Sequence, residues 1–172
     1  MAKKKHVLPM EAQNSTHRTV RVLIVDDSEQ DQVLFRHILQ TCEDVEVIGT
    51  ATNGTDAIAY LNGVGRYHDR HTHRKPHVML LDFQMPGLSG LDVVRKIGMQ
   101  PHHCRVVLWS DSVELINQPL AYQLGASVVC KKPQNRSDLV SILSEAVTAP
   151  SPHTPGATVH TLAGQHRQVT TH

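Results

Sequence analysis

The stretch Val22-Leu23-Ile24-Val25-Asp26-Asp27-Ser28 sets four consecutive apolar residues against two adjacent carboxylates. A strand that is apolar at every position, and not at every second one, is buried on both faces. Such strands belong to parallel sheets covered by helices on each side. The segment that follows, 28–41, has helical period, with Val33, Leu34, Ile38 and Leu39 expected on one face and the Ser28 hydroxyl capping the first turn. A buried strand running straight into a helix of this kind opens a doubly wound α/β domain.

Working outward, the same alternation recurs four times. Apolar runs at 45–49, 78–81, 106–109 and 128–130 are followed by helical patterns at 54–61, 89–97, roughly 120–124, and 137–147. The expectation is a five-stranded parallel sheet flanked by five helices, in one domain over residues 19–147. Asn53 and Ser137 are expected to cap the second and fifth helices. Pro119 suits a first turn and breaks a helix interior, so the fourth helix should start late, near Gln118. The polar segments 1–18 and 148–172 lack periodicity and read as disordered extensions.

Bulk properties narrow the function classes. Seventeen Lys and Arg against sixteen Asp and Glu leave a formal charge of +1, short of the basic balance of a nucleic-acid-binding domain. The Lys3-Lys4-Lys5 cluster is too small to change that reading and is taken as solubilising. The three cysteines, Cys42, Cys104 and Cys130, are odd in number, far apart and set in or beside apolar stretches, which fits reduced thiols and a cytoplasmic location. No apolar run approaches the roughly 18–20 residues of a membrane span, and the N-terminus lacks the apolar block of a signal peptide. No membrane partner is expected.

In open α/β sheets, ligands bind outside the carboxyl ends of the strands, where the winding reverses. Those ends carry Asp26-Asp27, Asp82, Ser110 and Lys131-Lys132-Pro133. A single Asp after a strand is ordinarily a helix cap or turn residue. Four strand ends with three carboxylates, a hydroxyl and a cation are not explained that way. Clustered carboxylates raise one another's pKa unless a cation compensates, and an all-oxygen cluster suits Mg²⁺. No G-x-x-x-x-G-K-[ST] or G-x-G-x-x-G loop follows the first strand, which argues against a nucleotide-binding domain.

At these residues the chain resembles the receiver domains of two-component response regulators, over about residues 21–147. Val22 through Ser28 looks like the family's opening acidic pair. The run Leu80-Leu81-Asp82-Phe83-Gln84-Met85-Pro86-Gly87-Leu88-Ser89-Gly90 looks like its phosphoacceptor motif, Val107-Leu108-Trp109-Ser110 like its hydroxyl-bearing strand, and Lys132-Pro133 like its cation. The family places its Lys directly before Pro, which selects Lys132 over Lys131. The resemblance implies a flavodoxin-like receiver fold and attack of Asp82 on a phosphohistidine of a histidine kinase or phosphotransfer protein. It also implies a Mg²⁺ held by Asp27, Asp82 and the backbone carbonyl of Gln84, with Asp26 acting through metal-bound water. Ser110 would hydrogen-bond the installed phosphoryl group, and the signal would pass to a downstream protein target. The long segment 63–77, with His68, His71, His73 and His77, is similar to the extended loop of small stand-alone receivers, including those paired with bacterial phytochromes. A homodimer is compatible with the pattern.

Three positions depart from it. Val129 stands three residues before Lys132, where many receivers carry an aromatic switch residue. Trp109 precedes Ser110 where an aliphatic residue is commoner, and is read as a packing residue. Asp111 adds a carboxylate after Ser110, with altered phosphorylation or dephosphorylation kinetics expected unless it faces solvent. A Mg²⁺-dependent phosphohydrolase would carry a second Asp two residues after its nucleophile, where Gln84 stands here. No enzymatic turnover beyond self-phosphorylation and self-dephosphorylation is therefore expected. The remaining alternative is a degenerate receiver acting as a phosphorylation-independent interaction module.

Overall fold

The continuous apolar runs become the inner strands of one parallel sheet. The computed structural model describes residues 19–99 and 104–149. Along the chain these form β1 (Val20–Val25), α1 (Glu29–Gln40), β2 (Val45–Ala51), α2 (Gly54–Asn62), β3 (Val78–Asp82), α3 (Gly90–Gly98), β4 (Arg105–Ser110), α4 (Gln118–Leu124), β5 (Val128–Lys131) and α5 (Arg136–Thr148). Single 3₁₀ turns occur at Gly65–Tyr67 and Val113–Leu115. The strand order is β2-β1-β3-β4-β5, the flavodoxin-like doubly wound order, with all neighbouring pairs parallel.

Burial explains the apolar runs. Val22 to Val25 and Val78 to Leu81 are fully excluded from solvent. One face of the sheet packs Leu23, Val25, Met79, Leu81, Val106 and Leu108 against α2 and α3. The other packs Val22, Ile24, Leu80, Val107 and Trp109 against α1 and α5. Each such side chain contributes about 1.5–3 kcal/mol on burial, so a polar residue in β1 or β3 would be strongly destabilising. The two edge strands are less enclosed: β2 is half-buried along most of its length and β5 ends in exposed Lys131.

Close approach fixes one glycine. A Cβ on Gly90 would run into the carbonyl oxygen of Asp82 and lie 2.9 Å from Phe83 Cα. Only glycine lets the start of α3 sit that near the end of β3. The Gly90 N–H uses the proximity to donate to the Phe83 carbonyl at 3.0 Å.

The fold class, the ten elements and the start of α4 at Gln118 are as the sequence indicates, and the structure adds Asn117 as the cap of α4. Two expectations about helix faces and caps are corrected. On α1 the buried residues are Gln32, Phe35 and Leu39, while Val33 and Leu34 are 68% and 51% exposed. Phe35 stacks on Trp109 across the sheet face, with ring centroids 4.6 Å apart, and this contact sets the rotation of the helix. On α5 the cap is Asn135, whose Oδ1 accepts from Asp138 N at 2.9 Å; Ser137 lies inside the first turn. Ser28 and Asn53 cap α1 and α2 as expected.

The last helix, α5, runs through Thr148. The segment 1–18, and all of 148–172 except its first two residues, lie outside the described residues. The segment 63–77 is held by its own bonds: Arg70 donates to the carbonyls of Tyr60, Leu61 and His73 at 2.8, 2.6 and 3.1 Å. His73 packs edge to face against Tyr60 and Tyr67, whose rings are tilted against each other, and His77 Nδ1 accepts from Arg21 N. His73 and His77 are thereby committed to packing and backbone bonding.

Candidate functional site: an acidic cluster at the switch point

The winding reverses between β1 and β3, where Val25 and Leu81 are register partners. One residue further on, Asp26 and Asp82 therefore stand side by side, with Asp27 beyond them. One carboxylate oxygen from each of Asp26, Asp27 and Asp82 lies within 4.8 Å of the others. Asp26 is fully buried and Asp82 is 4% exposed, whereas Asp27 faces solvent.

Lys132, itself buried, is brought to the cluster from the end of β5, and its backbone N–H donates to the Ser110 carbonyl at 2.9 Å. Its Nζ lies 2.9 Å from Asp26 Oδ2 and 3.4 Å from Asp82 Oδ1. The Asp26 contact is a close ion pair, and Lys132 is the partner of this buried oxygen among the described residues. The other Asp26 oxygen accepts from Ser28 N at 3.0 Å.

Electrostatics follow from this enclosure. Burial pushes the Asp82 carboxyl up to about 6, against the opposing pull of Lys132 and with further upward pressure from Asp26 and Asp27. Burial also raises Asp26, again opposed by Lys132. For Lys132, burial works against the charged form, but the hydrogen bonds and charges of Asp31, Asp26 and Asp82 outweigh it and hold the ammonium well above its usual range. Three convergent carboxylates faced by one ammonium make a site short of positive charge. That donor set, all oxygen and partly open at Asp27, fits a hard divalent cation.

The remaining expected residues take these places. Ser110 is fully buried at the end of β4, where it is the register partner of Lys131, and its Oγ accepts from Ser112 N at 3.1 Å. Gln84 is exposed in the loop two residues past Asp82. Trp109 is fully buried as a packing residue, and Asp111 is exposed. Val129 is half-buried, and its N–H donates to the Tyr122 hydroxyl at 3.2 Å.

Two residues at the site escape sequence reasoning. Asp31 Oδ2 accepts a hydrogen bond from Lys132 Nζ at 2.8 Å. Gln32 is buried and donates through Nε2 to the carbonyls of Asp26 and Ala51, at 2.6 and 3.3 Å. The available signal was a polar residue, Gln32, at the position that Phe35 and Leu39 share on the inner face of α1.

The family model described as "Response regulator receiver domain" matches residues 22–144. The chain belongs to the response regulator receiver domain family. Among relatives of this receiver chain is protein-glutamate methylesterase/protein-glutamine glutaminase 5 of Myxococcus xanthus, 33% identical over 133 residues, covering 65% of this chain and 35% of that protein. The receiver chain thus spans about a third of the length of the curated relatives it matches. Among solved structures, the bacteriophytochrome response regulator AtBRR is similar at 29% identity and a TM-score of 0.61, covering 74% of this chain and 92% of that one. The phosphorylated cyanobacterial phytochrome response regulator RcpA is similar at 26% identity and a TM-score of 0.60, covering 73% and 89%. The long segment 63–77 thus sits in a receiver whose structural relatives include phytochrome response regulators. Among the described residues, no helix of the receiver is long and apolar enough to cross a membrane.

Proposed function

We propose that Asp82 is the phosphoacceptor of this receiver. The observation that carries the reading is the contact of Lys132 Nζ with Asp82 Oδ1 inside a cluster of three convergent carboxylates at the switch point. A carboxylate oxygen of Asp82 attacks the phosphorus of a phosphohistidine on a histidine kinase or phosphotransfer protein. The new P–O bond forms as the P–N bond breaks, the imidazole leaves with its electron pair and takes up a proton, and Asp82 becomes an acyl phosphate.

Asp27, Asp82 and the carbonyl of Gln84 would hold Mg²⁺ directly, and Asp26 would act on it through water. When bound, the ion supplies positive charge opposite the oxygens of the transferring phosphoryl group. Lys132 supplies the second positive charge from the other side. Ser110, buried at the end of β4 with its Oγ accepting from Ser112 N, would donate its hydroxyl proton to the phosphoryl oxygen. Movement of Ser110 toward that oxygen would shift the loop after β4 and pass the signal to a downstream protein target.

The chemistry is limited to gain and loss of this phosphoryl group. Gln84, an amide, stands where a hydrolase would need an acid. The cytoplasm is the compartment we assign, supported by three free thiols at Cys42, Cys104 and Cys130. The domain is taken as 19–147 with extensions on either side, and neither a nucleic acid nor a membrane is assigned as partner.

The direct test is transfer from a phosphohistidine-bearing histidine kinase or phosphotransfer protein, with the label followed onto the chain. Label should appear on wild type, be lost at alkaline pH as an acyl phosphate is, and be absent from Asp82→Asn. Label retained on that variant would place the phosphoryl group elsewhere.

A further inference from the structure

Lys132 meets three carboxylates, and the contacts are unequal. Asp31 Oδ2 accepts a hydrogen bond from Nζ at 2.8 Å, Asp26 Oδ2 lies at 2.9 Å, and Asp82 Oδ1 is the farthest at 3.4 Å. The nearest partner is thus the one carboxylate that does not end a strand. Asp31 sits in the first turn of α1, and that turn is fastened to the strand ends. Asp31 N donates to Ser28 Oγ at 3.2 Å, Ser28 N donates to Asp26 Oδ1, and the next residue, Gln32, ties the helix to the Asp26 and Ala51 carbonyls.

Exposure separates the three partners further. The side chain of Asp31 is 32% exposed, against 0% for Asp26 and 6% for Asp82. A partly solvated carboxylate replaces a lost ammonium with water at little cost, whereas a buried one does not. When a phosphoryl group arrives at Asp82, Lys132 must close on it. The Asp31 hydrogen bond is the contact that yields most cheaply.

We propose that Asp31 is a positioning residue that holds Lys132 in the resting receiver and gives it up to the phosphoryl group on Asp82. This rests on the reading of Asp82 as phosphoacceptor. Asp31 competes with the incoming phosphoryl group for one ammonium, and so slows phosphorylation. The competition is a property of charge and reach, so a glutamate at the same place keeps it and an asparagine does not.

The test uses the full chain with Mg²⁺ and a small phosphodonor, with the phosphorylation rate followed by intact mass in wild type, Asp31→Asn and Asp31→Glu. Asp31→Asn should gain its phosphoryl group roughly two- to fivefold faster than wild type, the size expected for releasing a partly exposed ion pair, while Asp31→Glu stays near wild type. A wild-type rate or a slower one in Asp31→Asn, or a rate in Asp31→Glu equal to that in Asp31→Asn, would overturn the proposal. A second measurement needs no variant. The Asp31 carboxyl carbon, followed by NMR in wild type, should shift when the protein is phosphorylated, and an unmoved signal would contradict its release. Failure of wild type to gain any phosphoryl group would remove the phosphoacceptor reading and this proposal together. Phosphorylation of wild type with no effect at Asp31 would remove this proposal alone.

Discussion

Lys132 Nζ stands 3.4 Å from Asp82 Oδ1, the only ammonium among the described residues in contact with that carboxylate. Both side chains are more than nine-tenths buried, so the Asp82 carboxylate cannot fall back on water if the ammonium is removed. Lys132→Ala should cost about 3–5 kcal/mol at neutral pH, the range for breaking a buried pair by deleting one partner. Urea unfolding measures it. Added Mg²⁺ should recover part of the loss, because it supplies positive charge to the same oxygens.

The raised pKa of Asp82 gives a prediction with a definite sign. Its folded value is about 6 against an ordinary 3.8, so its contribution to stability is fully present below about 3.8 and is lost as pH rises through about 6. Without metal, Asp82→Asn should therefore be more stable than wild type above pH 6, by on the order of 1–3 kcal/mol. The advantage should shrink as pH falls from about 6 to 4. Paired thermal or urea melts across that range, in a chelator, would show it; a constant difference would contradict it.

Asp27 is the exposed member of the cluster, so removing it should weaken the metal without unfolding the domain. Asp27→Ala should raise the Mg²⁺ concentration needed for half of the metal-induced rise in Tm by at least about tenfold. A wild-type midpoint in Asp27→Ala would place the ion elsewhere.

Asp111 is exposed and directly follows Ser110, so its charge adds to the negative potential met by an anionic phosphodonor. Asp111→Ala should quicken phosphorylation by roughly two- to threefold at low salt and by less at high salt, since exposed charges are screened within about 10 Å at 0.1 M. Formation and decay rates that match wild type at every salt concentration would remove Asp111 from the chemistry.

Much of this was legible in the sequence, and for one reason. Val22 to Val25 and Val78 to Leu81 are apolar at every position because both faces of β1 and β3 are covered, and the residues that end them cannot avoid the switch point. Pro119 fixed the late start of α4 by local chemistry alone. The rotation of α1 was not legible. Val33-Leu34 and Ile38-Leu39 are apolar pairs that satisfy helical period equally well, and the choice is made by Phe35 meeting Trp109, a contact 74 residues apart in sequence. Asp31 and Gln32 were hidden for the same reason: their roles depend on that rotation and on a lysine more than 100 positions away. Asn135 won the α5 cap over Ser137 because its Oδ1 reaches Asp138 N with Asn135 in an extended backbone conformation, a matter of backbone angles.

The central claim is that Asp82 takes up the phosphoryl group. Incubation of the full chain with Mg²⁺ and a small phosphodonor, followed by intact mass, tests it most directly. Wild type should gain the mass of one phosphoryl group, dependent on Mg²⁺, and Asp82→Asn should gain none. No gain in wild type, or an equal gain in Asp82→Asn, would contradict the account.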